Sequence, residues 1–220
     1  MTTGHGLRRF REPSGRPPGP RCELCSAALG PDHHGHVVDL DDRGLLCVCR
    51  ACRLLLAHRG AAQGRYRGVP DRHRHVSDFA LSPVQWETLQ LPVGMVFCFR
   101  NSRLGRYVVF YPSPGGATES LLPDAAWERV MAVNPGVSDL ADDVEALLLR
   151  RLGERVECHL VPIDTCFDLV GRMRLHWRGF DGGELVRDAL DAFFAGLRAR
   201  SAGYGAGAHG GPAAGGDARG

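Results

Sequence analysis

The sequence predicts an α+β protein in which a zinc-ribbon-like N-terminal module precedes a mixed α+β domain, with disordered tails at both ends. Two C-x-x-C pairs predict the ribbon, because each pair places two thiolates on one metal ion. Strand-like alternation and amphipathic helical patterns beyond residue 76 predict the larger domain. Ends rich in glycine, proline and alanine predict the tails, because they offer little apolar surface to bury.

Changes in composition divide the 220 residues into five parts. A disordered arm rich in proline, glycine and arginine covers 1–21, and the metal module, which holds five of the eight cysteines, covers 22–58. A polar linker rich in glycine and arginine follows at 59–75. The α+β domain covers 76–200, and a disordered Gly/Ala tail covers 201–220.

The predicted metal ligands are Cys22, Cys25, Cys49 and Cys52. Two C-x-x-C pairs separated by a short hairpin are typical of a tetrahedral sulfur site. Cys47 complicates the assignment, because it also lies in the CVCRAC run. We interpret it as an apolar strand residue, and the alternative is that it replaces Cys49 as a ligand. Zinc is the expected metal, with iron as the alternative.

Between the two pairs, residues 36–41 and 44–48 are short β-like runs that predict a hairpin, and a short helix is expected from Arg50. His33, His34 and His36 fall in this region. We interpret them as solvated loop histidines, and a second metal site is the alternative.

The larger domain contains a series of helical and strand-like patterns. Strands are expected at 93–99, 106–111 and 155–161, and helices at 83–90, 123–133, 142–151, 164–178 and 185–197. The two strands at 93–99 and 106–111 should pair, and the Gly-rich stretch 112–120 should be a turn.

Composition excludes several classes of protein. With 27 basic and 25 acidic residues the net charge is +2, which is too balanced to predict nucleic-acid binding. All the basic residues are arginine, so no lysine is present for a Schiff base or a P-loop. No apolar run is long enough for a membrane span, and no apolar segment of an export signal follows the N-terminal arginines, so a cytoplasmic location is expected.

No catalytic constellation is recognisable in the sequence. Four thiolates would close the coordination sphere, whereas a catalytic zinc keeps one position open. The H-x-E element of zinc deaminases and the H-E-x-x-H motif of metalloproteases are both absent from the sequence. We therefore expect a protein that is not an enzyme.

Five stretches together resemble an uncharacterised actinobacterial family that is known only as a domain of unknown function. They are CELC, LLCVCRAC, LPVGMVFCFRNS, YPSPGGATESLLP and CFDLVGRMRLHWRGFDGG. The resemblance covers about residues 21–200, and members of that family are found near genes of uptake-type nickel–iron hydrogenases. This resemblance implies an accessory or assembly role, with a hydrogenase subunit or maturation factor as partner, and it carries over no catalytic residues.

The sequence thus predicts a non-enzymatic, metal-binding accessory protein. One alternative is a rubredoxin-like iron electron carrier fused to a docking domain. The other is a zinc ribbon that binds nucleic acid through its arginine-rich flanks, an idea that the near-neutral charge disfavours.

Overall fold

The computed structural model describes residues 19–30, 34–58, 60–91, 93–177 and 183–205. Over these residues the chain forms two antiparallel sheets flanked by α-helices, which confirms the predicted mixed α+β class. Most of the predicted arm and the tail beyond residue 205 lie outside the described residues. Residues 201–205, which were expected to begin the tail, continue the last helix.

The smaller sheet has three strands and holds the N-terminal module together. They are β1 (His34–Asp39), β2 (Gly44–Cys49) and β3 (Tyr66–Gly68), in the spatial order β2-β1-β3. The β1–β2 turn forms because the Asp39 carboxylate accepts hydrogen bonds from the backbone of Asp41 and Asp42, at 3.0 and 3.3 Å. Helix α1 (Arg50–Leu55) follows β2 directly.

The larger sheet has six antiparallel strands in the order β4-β9-β8-β5-β6-β7. These strands are β4 (Arg74–His75), β5 (Met95–Asn101), β6 (Arg106–Ser113), β7 (Gly116–Ser120), β8 (Glu145–Leu152) and β9 (Arg155–Pro162). The predicted pairing of 93–99 with 106–111 is confirmed, and Phe97 lies opposite Phe110. The expected turn at 112–120 is narrower, because β6 and β7 continue almost to Gly115.

Helices cover both faces of the larger sheet and enclose two apolar cores. They are α2 (Pro83–Thr88), α3 (Asp124–Ala132), α4 (Ile163–His176) and α5 (Gly183–Gly205), with short 3-10 turns at Ala61–Gly64 and Pro135–Val137. Trp86 of α2 and Trp127 of α3 pack in one core, and Leu169 of α4 and Phe194 of α5 pack in the other. Within the described residues, no helix is long and apolar enough to cross a membrane.

The prediction of a helix at 142–151 is wrong, because most of this segment forms strand β8. Leu147 and Leu149 enter the core beside α2 and α3, while Ala146 and Leu148 enter the core beside α4 and α5. A central strand that is buried on both faces shows a continuous apolar run instead of alternation, and such a run cannot be distinguished from a buried helix by periodicity.

The segment 59–75, predicted to be a linker, takes part in both sheets. It contributes β3 to the smaller sheet and β4 to the larger one. In the described part of this segment, four arginines pair with carboxylates, namely Arg65, Arg67, Arg72 and Arg74. Arg65 contacts Asp39 at 2.6 Å, and Arg72 contacts Glu145 at 2.5 Å. The segment therefore ties the N-terminal module to the α+β domain.

Candidate metal centre

The first C-x-x-C pair lies on a tight turn that is fastened to strand β2. The Ser26 backbone N–H donates to the Cys22 carbonyl at 2.8 Å, and Ser26 adopts a left-handed φ of 62°. The Glu23 backbone N–H donates to the Cys47 carbonyl at 3.0 Å, and the Glu23 carboxylate accepts from the Cys47 backbone N–H. These bonds fix the turn, and with it both thiols, against the edge of the smaller sheet.

The second pair is placed by the junction between β2 and α1. Cys49 is the last residue of β2 and the N-cap of α1, with an extended backbone. Cys52 lies three residues further on, within α1. This strand-to-helix junction turns both thiols towards the C-x-x-C turn.

All four predicted ligands come together. The Sγ atoms of Cys22, Cys25, Cys49 and Cys52 lie within 4.8 Å of one another. Cys25 and Cys49 are separated by 3.7 Å between sulfurs. Zinc–sulfur bonds of about 2.3 Å at tetrahedral angles require sulfurs about 3.8 Å apart. The geometry is therefore compatible with a zinc-ribbon-like module that holds one ion among four thiolates.

The four thiols differ in their tendency to ionise. Burial raises the pKa of Cys22, but backbone hydrogen bonds from Cys49, Cys25 and Leu24 outweigh it and lower this pKa to about 6. Burial and hydrogen bonding with the neighbouring thiols raise the pKa of Cys52 to about 12. Four crowded thiols cannot all lose their protons together unless a cation compensates their charge, and a bound dication provides that compensation.

Cys47 does not belong to this group. Its side chain lies beside that of His36 on the neighbouring strand β1, and its Sγ is 3.6 Å from His36 Nε2. Cys49, not Cys47, lies with the other three sulfurs. Cys47 thus lies apart from the four-sulfur group, and it is not simply an apolar strand residue, because its sulfur contacts His36.

The histidines expected in a loop lie in part on a strand. His34 and His36 belong to β1, and the spacing of two residues puts both side chains on one face of the hairpin. His33 lies outside the described residues. His34, His36 and Cys47 form a second compact group, with ligand atoms within 4.8 Å of one another.

A third group consists of His75, Glu157 and His159 on the larger sheet. Glu157 Oε1 accepts from Arg198 at 2.6 Å and lies 3.0 Å from His159 Nε2. Because Arg198 already neutralises this carboxylate, we interpret the group as an ion pair that anchors α5 to the sheet.

Comparison with known proteins gives one result. The family of unknown function DUF5947 matches residues 21–201, which is most of the chain. No curated protein and no solved structure matches. Residues 178–182, within the WRGFDGG stretch that contributed to the resemblance, lie outside the described residues.

Proposed function

The chain belongs to the DUF5947 family, and we propose that it is a non-enzymatic, metal-binding accessory protein of the cytoplasm that acts through protein contacts. The observation that carries this proposal is the group of four cysteine sulfurs within 4.8 Å of one another. A four-sulfur site leaves no coordination position for substrate, so the ion would hold the module in shape. The shaped module would then present a surface to a partner.

Zinc is the metal that we propose for this site. Small ribbons attached to a second domain usually use zinc to replace the core that they lack. Among the described residues, the apolar cluster around the site has four buried members, Cys22, Leu29, Val37 and Val48. Iron is the alternative, and the exposed Cys25 thiol would give electrons a short path to it.

Metal analysis with a visible spectrum tests this proposal on full-length protein purified anaerobically. We expect about one tightly bound zinc ion, and no visible absorption, after exhaustive washing. Ferric tetrathiolate sites are coloured, so a coloured, iron-containing protein would establish the electron-carrier alternative. A washed protein without any metal would contradict the proposed role of the cysteines.

A protein partner is favoured over nucleic acid by the arginines of segment 59–75. Arg65, Arg67 and Arg72 are each paired with a carboxylate at 2.8 Å or less. Guanidinium groups held in this way are not available to phosphates, which are the main attraction for nucleic-acid binders. The resemblance described above suggests which partner to test, namely a hydrogenase subunit or maturation factor.

A pull-down and a gene deletion test the partner. Tagged protein should recover a hydrogenase subunit or maturation factor, and deletion of the gene should reduce hydrogenase assembly. Replacing Cys22 and Cys25 with serine should have the same effect, whereas deleting residues 206–220 is the matched control and should leave assembly intact. If hydrogenase assembly and electron transfer are unchanged in the strain that lacks the whole gene, the hydrogenase role is excluded. Only the metal-binding part of the proposal then remains.

A further inference from the structure

We propose that His34, His36 and Cys47 form a second metal site, distinct from the four-cysteine group, that binds a divalent late first-row ion such as Zn²⁺. One coordination position would stay open, because these residues supply three ligands. Imidazole and thiolate are the donors that such ions prefer.

The strand register builds this site. His36 lies directly opposite Cys47 in the β1–β2 pairing, and His34 lies opposite Cys49. Opposed residues of an antiparallel pair share a face of the sheet, and so do residues two apart on one strand. The hairpin therefore presents His34, His36 and Cys47 together, on rigid backbone, on a single face.

The distances fit the coordination of a small ion. His36 Nε2 and Cys47 Sγ are 3.6 Å apart. Bonds of about 2.0 Å to nitrogen and 2.3 Å to sulfur, at a tetrahedral angle, require a separation of about 3.5 Å between the two ligand atoms. His34 completes the set, with all three ligand atoms within 4.8 Å of one another.

The other ring nitrogens of both histidines are already engaged, as metal ligands require. His36 Nδ1 lies 2.7 Å from the Asp164 carboxylate, and His34 Nδ1 lies 3.3 Å from the Gly30 carbonyl. Both partners are acceptors, so they favour the Nδ1–H tautomer of a neutral ring, in which the Nε2 lone pair can bind a metal. A carboxylate behind a ligating histidine also orients the ring and strengthens its bond to the ion.

A cavity of about 340 Å³ lies beside the site, at the junction of the two modules, and is lined by His34 and His36 but not by Cys47. Asp164, in the first turn of α4, also lines this cavity and lies 2.7 Å from His36 Nδ1. Arg53 and Arg200 bring positive charge to this cavity, and Asp71, Asp164 and Asp168 bring negative charge. With three protein ligands, a water molecule could complete the coordination of an ion at this site, whereas the four-cysteine site has no position left for one.

Cobalt titration of the zinc-loaded, washed full-length protein tests the proposal. Because the four-cysteine site is already occupied, we expect one equivalent of Co²⁺ to bind, with a thiolate-to-cobalt charge-transfer band from a single sulfur. His34→Ala, His36→Ala and Cys47→Ser should each abolish this uptake while the tight zinc is retained. Asp164→Asn should weaken cobalt binding about 10- to 100-fold through the loss of the carboxylate behind His36.

His58→Ala is the matched control, because His58 is an exposed histidine of the same module outside the three groups. It should bind Co²⁺ as the wild type does. If the wild type binds no second equivalent, or if both histidine variants bind as the wild type does, the site does not exist. Should Cys47→Ser also lose the tight zinc by disturbing β2, the two histidine variants still decide the question. Loss of the tight zinc from the wild type would contradict the four-cysteine proposal, and cobalt uptake that both histidine variants abolish would still support this one.

Discussion

Replacing Arg72 with alanine should destabilise the protein by about 3–5 kcal/mol, because it would leave a buried carboxylate without its counter-charge. Nε and Nη2 of Arg72 contact the two carboxylate oxygens of Glu145 at 2.7 and 2.5 Å. The Glu145 side chain is 2% exposed, so water cannot replace the guanidinium. Among the described residues, the contact that would remain is the Ala141 backbone N–H, at 2.8 Å from Oε2.

Urea unfolding followed by circular dichroism measures this loss, with metal content checked in each variant. Arg103→Ala is the control, because Arg103 pairs at 2.6 Å with Asp41 while both side chains are about half exposed, and it should cost at most about 1 kcal/mol. Glu145→Gln added to Arg72→Ala should recover part of the loss, because a neutral amide is cheaper to bury than an unpaired charge. A cost below about 1 kcal/mol for Arg72→Ala would refute the reasoning and show that segment 59–75 is a loose linker.

Three further predictions concern the metal and the response to pH. Cys49→Ser should release the tightly bound metal and Cys47→Ser should retain it, and metal analysis after gel filtration would show the reverse pattern if the ligand register is wrong. Removing the metal with a chelator should expose residues 22–58 to amide hydrogen exchange, while the larger sheet keeps its protection and cooperative melt; unchanged protection of 22–58 would contradict the role of the metal. The Arg65 guanidinium hydrogen-bonds to the Asp39 carboxylate and lowers the pKa of Asp39 in the folded state. The contribution of this pair to stability is therefore present above the unfolded pKa of about 3.9, and it is lost as the pH falls from there through the lower folded-state pKa. Urea midpoints from pH 7 to pH 3 should fall less steeply in Asp39→Asn than in the wild type, and identical slopes would show that this carboxylate does not contribute.

Local rules predicted several elements of the α+β domain. The helix predicted at 83–90 forms as α2, and it begins with a capping box in which Ser82 and Gln85 satisfy each other's backbone N–H groups. Residues 155–161 alternate in polarity and form β9. The helix prediction for 142–151 failed because this apolar run reflects burial of the strand on both faces. That burial depends on helices that are distant in sequence. Asp164 lies in the first turn of α4, and its carboxylate contacts His36 of the smaller sheet.

The four-cysteine group could be predicted because its spacing is local. A C-x-x-C pair brings its own two sulfurs together, and only the meeting of the two pairs depends on the hairpin between them. The second group could not be predicted in the same way. It depends on the register that places His36 opposite Cys47, and on Asp164, which lies 128 residues from His36 in the sequence. A one-residue shift in that register would have moved Cys47 to the other face.

The alternation of β2 explains why the CVC run supports both proposed sites. Cys47 and Cys49 point to the same side of the strand because they are two residues apart, yet they meet different partners. Cys49 ends the strand, and the backbone turns there into α1, so its sulfur joins the C-x-x-C turn. Cys47 is still within the strand, opposite a histidine that is tied to α4. A metal at the four cysteines would fix the end of β2, and the fixed strand would in turn hold Cys47 in place beside His36. The two sites would therefore be coupled in one direction: losing the first should weaken the second, whereas losing the second should leave the first intact.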